Sequence, residues 1–301
     1  MEVIETRKLT KFYGSKVGCR DVDVSVGRGE IFGFLGPNGA GKSTFVKMLT
    51  GLLFPTSGEA FILGRPAGDV RIRRNMGYLP ENFRFQEWMT GEDLLSFHAS
   101  LYRMDRNAVS GRINEVLEIV KLKESRKYKI GTYSKGMQQR IGIAGALLSD
   151  PDVLFLDEPT SALDPIGRKE VRDIMLMLKS RGKTIFLNSH LLSEIEMVCD
   201  SVAIINKGSI IKQGRLQEIL EEKITLEVRV ENMSDAVLSK LKEIDPALVY
   251  GMRKVEMKID AGEKIPYIAS LLVENGVKLY GLTPRRENLE NLFINLIGRG
   301  E

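Results

Sequence analysis

Four short runs along the chain have apolar cores bounded by glycine or polar residues. They are "EIFGFLG" (Glu30 to Gly36), "VLFLDE" (Val153 to Glu158), "TIFLNSH" (Thr184 to His190) and "SVAIIN" (Ser201 to Asn206). Runs of this length and texture predict strands buried on both faces. A Lys207-Gly208 turn and "SIIKQG" follow the last of them. Helical patterns fill the gaps, the first from Lys42 to Leu52. Strands alternating with helices predict a parallel α/β core with covered faces. Residues from about 85 to 150 are mostly helical in pattern and interrupt that alternation, as an inserted helical subdomain would.

Beyond about Leu220 the texture changes. "ITLEVRV" (Ile224 to Val230) alternates as a half-buried strand does, and "DAVLSKLKEI" (Asp235 to Ile244) has helical spacing. "KVEMKID" (Lys254 to Asp260) alternates again, "IPYIASLLVENG" is helical and "VKLYGLTP" extended. The predicted order resembles a small α+β ferredoxin-like domain. A last helix, "ENLENLFINLIG" (Glu287 to Gly298), follows. Two domains are therefore expected, residues 1–220 and an accessory domain at 221–301.

The length of 301 residues agrees with two domains, at roughly 150 residues each. With 43% hydrophobic residues the chain can bury a sizeable core. A net charge of +4 is too mild to imply nucleic acid as a partner, and none is expected. The basic runs "RIRR" (Arg71 to Arg74) and "KLKESRKYK" (Lys121 to Lys129) read as solvated surface, with a membrane surface or a phosphate-bearing partner as the sharper alternative. Two cysteines, Cys19 and Cys199, lie far apart, without metal spacing or a disulfide framework, which favours a reducing cytoplasm. The N-terminal stretch lacks an apolar signal core. No apolar run approaches the ~20 residues that cross a bilayer. If the protein works at a membrane, another chain must span it.

The first strand runs into "GPNGAGKST": Gly36, Pro37, Asn38, Gly39, Ala40, Gly41, Lys42, Ser43 and Thr44. This fits G-x-x-x-x-G-K-[ST] in its confirming context, between a strand and a helix. Glycines let backbone N–H groups close around phosphate oxygens, and the helix N-terminus adds its dipole. Lys42 is expected to reach the β- and γ-phosphates, and the Ser43 hydroxyl to ligate Mg²⁺. The strand "VLFLDE" delivers Asp157 and Glu158 at its C-terminal end, where open α/β sheets bind ligands. Asp157 suits the metal-side carboxylate of a phosphate-loop NTPase. Glu158 is a candidate general base for an attacking water.

Further residues make the resemblance specific. "YSKGMQQR" (Tyr133 to Arg140) resembles the signature motif of ATP-binding-cassette (ABC) proteins, a variant of Leu-Ser-Gly-Gly-Gln. "SALD" (Ser161 to Asp164) is similar to that family's D-loop, His190 to its switch histidine, and Tyr13 in "KFYG" to its adenine-stacking aromatic, with Phe12 as a rival. The resemblance covers residues 1 to 220. It implies a phosphate-loop NTPase core with an antiparallel β subdomain and the helical insertion. It also implies ATP and Mg²⁺ as cofactors. In the family two subunits pair head to tail, and each signature motif closes on the other subunit's ATP. Ser134, Gly136, Gln138 and Asp164 would then serve the nucleotide of a second copy. Lys135 and Met137 depart from the usual motif; Lys135 adds a positive charge near an anionic ligand, which is electrostatically tolerable.

The family places a glutamine touching Mg²⁺ and water where the helical subdomain begins. Here "GYLPENFRFQEW" offers Glu81 instead. Three readings stand: Glu81 does the work, since a carboxylate binds Mg²⁺ at least as well as an amide oxygen; Gln86 has shifted into the role; or the site is weakened. The first is favoured, because Gln86 comes too late in the chain. Phe83, Phe85 and Trp88 in the following loop suit either a partner's anchor or local packing. "GYLPE" and "MTGEDLL" resemble the exporter-type (ABC-2-like) branch, which works with a separate transmembrane permease. The resemblance thus implies an ATPase subunit of an exporter, on the cytoplasmic face of the membrane. The alternative is a soluble ATP-driven switch on ribosomes or nucleic acid. Such family members carry two cassettes, a coiled coil or a zinc insert, none of which this sequence shows.

Overall fold

The computed structural model describes residues 2–221, 224–259, 262–286 and 288–298. Asp260 and Glu287, the ends of an expected strand and helix, lie outside them. The chain divides into two units, one ending at Arg215 and the other beginning at Leu216, slightly ahead of the expected position 220.

In the first unit, β1 (Glu2–Tyr13), β2 (Lys16–Val22) and β3 (Ser25–Gly27) precede the first core strand, β4 (Ile31–Leu35). Helix α1 (Lys42–Leu49) leads to β5 (Ser57–Ile62), β6 (Arg65–Pro66) and β7 (Met76–Leu79). Three helices follow: α2 (Gly91–Leu101), α3 (Arg106–Ile119) and α4 (Lys135–Leu147). The core then resumes with β8 (Val153–Asp157), α5 (Pro165–Ser180), β9 (Thr184–Asn188), α6 (Leu192–Val198), β10 (Ser201–Asn206) and β11 (Ser209–Arg215). The core sheet has the order β11-β10-β4-β9-β8-β7, parallel except for the β10–β11 hairpin. A second, antiparallel sheet joins β2, β1, β5 and β6, with β3 on β1.

Every residue of β4, β8 and β9 is buried, which explains their lack of polar alternation. Phe186 on β9 packs 5.5 Å from Phe34, 6.0 Å from Phe45 and 5.6 Å from Phe155, and Phe34 stacks on Phe45 at 4.7 Å. Each such ring contributes roughly 1.5–3 kcal/mol by leaving water, so this cluster anchors α1 on the sheet directly behind the phosphate loop.

Two local signals move element ends from their expected places. Helix α1 stops at Leu49 rather than Leu52, because Gly51 turns left-handed (φ 71°) and Leu52 N–H returns to the Lys47 carbonyl at 2.9 Å. The helical insertion begins only at Gly91, since Thr90 and Asp93 form a reciprocal capping box. Residues 82–89 are therefore a loop. Helix α4 lies so close to β7 that a Cβ on Gly77 would sit 2.3 Å from the Ala146 carbonyl oxygen. This contact fixes where the chain leaves β7 toward Glu81.

The second unit holds α7 (Leu216–Glu221), β12 (Ile224–Glu231), α8 (Asp235–Ile244), β13 (Val249–Gly251), β14 (Lys254–Ile259), α9 (Lys264–Glu274), β15 (Lys278–Arg286) and α10 (Leu289–Gly298). Its sheet is antiparallel in the order β13-β14-β12-β15, the ferredoxin-like arrangement. Alternation sorts β12 cleanly: Leu226, Val228 and Val230 join a core with Val255, Met257 and Ile268. On the opposite side Glu227 meets Lys254 at 3.2 Å and Arg285 at 2.8 Å.

Candidate active site at the carboxyl ends of the core strands

The parallel strands β4, β8 and β9 end on one edge, beside a cavity of about 450 Å³. The phosphate loop forms one wall. Gly39 (φ 80°) and Gly41 (φ 109°) are both left-handed, a conformation that turns successive N–H groups inward. Gly41 is also the N-cap of α1 and supplies no side chain, so the first helical N–H groups are left to a ligand. A Cβ at Gly41 would lie 2.1 Å from the Gly18 carbonyl oxygen. Lys42 is buried, and its Nζ donates to the carbonyls of Gly36 (2.7 Å) and Pro37 (3.3 Å). Burial lowers its pKa, opposed by the charges of Glu158, Asp157 and Glu81. Asn38, Gly39, Gly41, Lys42, Ser43 and Thr44 line the cavity, while Gly36, Pro37 and Ala40 complete the loop behind it.

The opposite wall is acidic, with Glu81 and Glu158 on it. Asp157 is buried and not itself on the lining; it ends β8 in register with Asn188, which ends β9 and does line the cavity. Asn188 Nδ2 donates to Asp157 Oδ1 at 2.5 Å. Burial raises the Asp157 pKa, with the charges of Glu81 and Glu158 adding to it; the Asn188 hydrogen bond and Lys42 act the other way. Glu158 leaves the strand in a left-handed conformation (φ 53°), a strain of about 1–2 kcal/mol for a residue with a side chain. Its N–H is held by the Asn188 carbonyl at 2.8 Å. The same left-handed twist accompanies a buried side chain whose Oε2 lies 2.8 Å from His190 Nδ1. That oxygen is buried without an aligned hydrogen bond. Glu81 also lines the cavity, exposed, and its charge is felt by Asp157, Lys42 and Tyr78. Gln86 does not line it.

Tyr13 stands at the cavity mouth, 47% exposed, its hydroxyl 3.5 Å from Thr44 Oγ1 and Lys11 Nζ 5.7 Å from its ring centre. Phe12 packs instead under Arg20. The remaining expected residues lie elsewhere. Ser134, Gly136 and Asp164 line a second cavity of about 390 Å³, together with Lys135 and Arg140. Ser134 caps α4 by accepting Met137 N–H, and Asp164 caps α5 by accepting Gly167 N–H. Gln138 is in neither cavity. It lines a third, of about 340 Å³, with Phe83 and Phe85, and its amide approaches the carbonyls of Tyr133 (3.4 Å) and Ile130 (3.5 Å). Phe83 and Phe85 pack at 5.0 Å, while Trp88 is 72% exposed.

Four residues of the first cavity escaped the sequence reading: Lys16, Val17, Gly18 and Asn188. The first three follow the β1–β2 turn and carry no motif. Asn188 had a signal, since a polar residue closing an otherwise apolar strand sits where Asp157 does on the neighbouring one.

The ABC transporter family profile matches residues 19–161. An uncharacterized ABC transporter ATP-binding protein of Nostoc sp. is 38% identical over 98% of this chain and 90% of its own length. The bacitracin transport ATP-binding protein BcrA of Bacillus licheniformis is 36% identical over 99% of this chain and 98% of its own. The linearmycin resistance ATP-binding protein LnrL of Bacillus subtilis is 32% identical over 99% of each chain. Among solved structures, the ATP-binding subunit of an ABC transporter superposes with a TM-score of 0.65 at 32% identity, covering 72% of this chain and 91% of the other. A cassette solved as a dimer in a post-hydrolysis state with ADP and Pi gives 0.64 at 25% identity, covering 71% and 98%. A phosphate loop facing a carboxylate-bearing strand end, in a chain this similar along its whole length, makes the protein a member of the ABC transporter family, as an ATP-binding and ATP-hydrolysing subunit.

Proposed function

We propose that the chain powers an exporter, pairing head to tail with a second copy and docking on a separate membrane permease. The convergence of Lys42, Ser43, Glu158, Glu81 and His190 on one cavity, with the charge of Asp157 acting on Lys42 from just behind it, carries this reading. The bacitracin and linearmycin relatives support the direction of transport. Among the described residues no helix is long and apolar enough to cross a membrane, so a permease would supply the path and hold this subunit at its cytoplasmic face.

The donor set fits Mg²⁺. Ser43 and the carboxylates of Asp157 and Glu81 are hard oxygen donors, and the negative charges of Glu81 and Glu158 act on Asp157 beside the positive charge of Lys42. Among the described residues no group of three or more His, Cys, Asp or Glu could enclose a metal alone. This suits an ion that keeps its waters and is completed by nucleotide phosphates. When bound it would neutralise charge developing on the β- and γ-phosphate oxygens.

The residues then divide the work. Tyr13 stacks on adenine, while the loop N–H groups and Lys42 hold the phosphates. Ser43, Asp157 and Glu81 orient the metal side. Glu158 takes a proton from the attacking water, and His190, with Nδ1 2.8 Å from Glu158 Oε2, holds that carboxylate and faces the γ-phosphate. Ser134, Gly136 and Asp164 lie outside the cavity of their own chain, which supports their closing on the nucleotide of the second copy. Gln138 steadies the start of α4 from the Tyr133 side.

Purification from native membranes in mild detergent tests the assembly. A multi-spanning protein in near-equal amount is expected. Recovery with ribosomes or nucleic acid from the soluble fraction alone would contradict it.

A further inference from the structure

Two buried side-chain oxygens in the nucleotide cavity have no assigned hydrogen bond: Glu158 Oε2, which has His190 Nδ1 at 2.8 Å beside it, and Asn188 Oδ1. Buried polar groups are nearly always paired, so the Asn188 oxygen on this wall points to what the site binds. Asn188 is 1% exposed and on the wall of the nucleotide cavity. Its two ends do different things. The amide nitrogen must face Asp157, because turning the amide over would set two acceptor oxygens against each other. That leaves Oδ1 as an acceptor with no donor among the described residues. The backbone carbonyl of the same residue holds Glu158 N–H. One residue thus ties together both carboxylates at the end of β8.

We propose that Asn188 is a positioning residue for the metal–nucleotide complex. Its Nδ2 holds Oδ1 of Asp157, so that the other carboxylate oxygen is presented to the metal side. Its own Oδ1 accepts a hydrogen bond from a water in the metal's shell. The inference rests on the Mg-ATP reading of the cavity. Groups that orient metal ligands typically contribute ~10-fold or more to metal affinity. The phosphate loop makes no contact with Asn188 among the hydrogen bonds described, so nucleotide binding without metal is spared.

The test compares the full-length protein with Asn188→Ala and Asn188→Ser. Binding of a fluorescent ATP analogue in EDTA is measured first, then the Mn²⁺ concentration that half-saturates the nucleotide complex, read by electron paramagnetic resonance. The expected result is unchanged EDTA binding with a ~10-fold higher Mn²⁺ requirement in Asn188→Ala. Asn188→Ser, which keeps a donor for Asp157, should recover part of it. A wild-type Mn²⁺ requirement in Asn188→Ala, in protein that melts as a folded unit, overturns the proposal. Should Asn188→Ala not fold, Asn188→Leu, which removes both polar ends while keeping the volume, takes its place, and a wild-type Mn²⁺ requirement in that variant overturns the proposal equally. Wild-type protein that binds nucleotide identically with and without Mn²⁺ removes the site reading itself.

Discussion

Glu158 Oε2 and His190 Nδ1 stand 2.8 Å apart, although one residue follows β8 and the other follows β9. The approach depends on the left-handed turn at Glu158. The imidazole is half exposed and the carboxylate buried, so the histidine reaches in from the nucleotide side. His190→Ala should therefore lower kcat by ~10²-fold or more while leaving ATP affinity within a few-fold. Steady-state hydrolysis alongside equilibrium nucleotide binding separates the two.

Glu81 is the acidic residue whose removal the metal side should tolerate worst after Asp157. Its charge reaches Asp157 and Lys42, and it lines the cavity where Gln86 does not. Glu81→Gln keeps an oxygen donor and should retain much of the ATPase activity; Glu81→Ala should lose most of it. Full activity in the alanine variant, measured at saturating Mg-ATP, would assign the role to another group.

Asp157 places function against stability. Burial, then the neighbouring carboxylates, raise its pKa above the ordinary 3.8. The folded state therefore binds this proton more tightly than the unfolded chain does. Stability falls as pH rises from the ordinary value through the raised one, because the buried carboxylate must ionise. Asp157→Asn removes that burden and still accepts from Asn188. In EDTA at pH 7 it should melt a few degrees higher than wild type, ~2–4 °C per kcal/mol for a domain of this size. The difference should vanish below the ordinary value. Thermal unfolding across pH checks both sign and window.

Gly41 tests the loop. A side chain there meets the Gly18 carbonyl and must adopt φ 109°. Gly41→Ala should destabilise the first unit by ~2 kcal/mol or more and abolish nucleotide binding. Gly14, with a positive φ but open space, is the control: alanine there should cost only the backbone strain.

The elements whose burial is complete were the legible ones. β4, β8 and β9 are apolar throughout because both faces are covered, and the phosphate loop and strand-end carboxylates follow from them. What tertiary geometry decides was not legible. Nothing local marks the left-handed turn at Glu158, which aims its side chain. Ser134 and Gln138 are four residues apart in one motif, yet Ser134 caps the helix while Gln138 turns back toward Tyr133 and Ile130. In sequence Asn188 is one polar residue closing an apolar strand; its register with Asp157 is set by the pairing of β8 and β9, which no local pattern encodes.

The role of Glu158 is the centre of the account, and one measurement reaches it directly: hydrolysis and oligomeric state of Glu158→Gln with Mg-ATP. Turnover should fall by ~10²–10⁴-fold, ATP should still bind, and a dimer should accumulate with ATP but not with ADP, seen by light scattering. Turnover near the wild-type rate in that variant would contradict the assignment of the base.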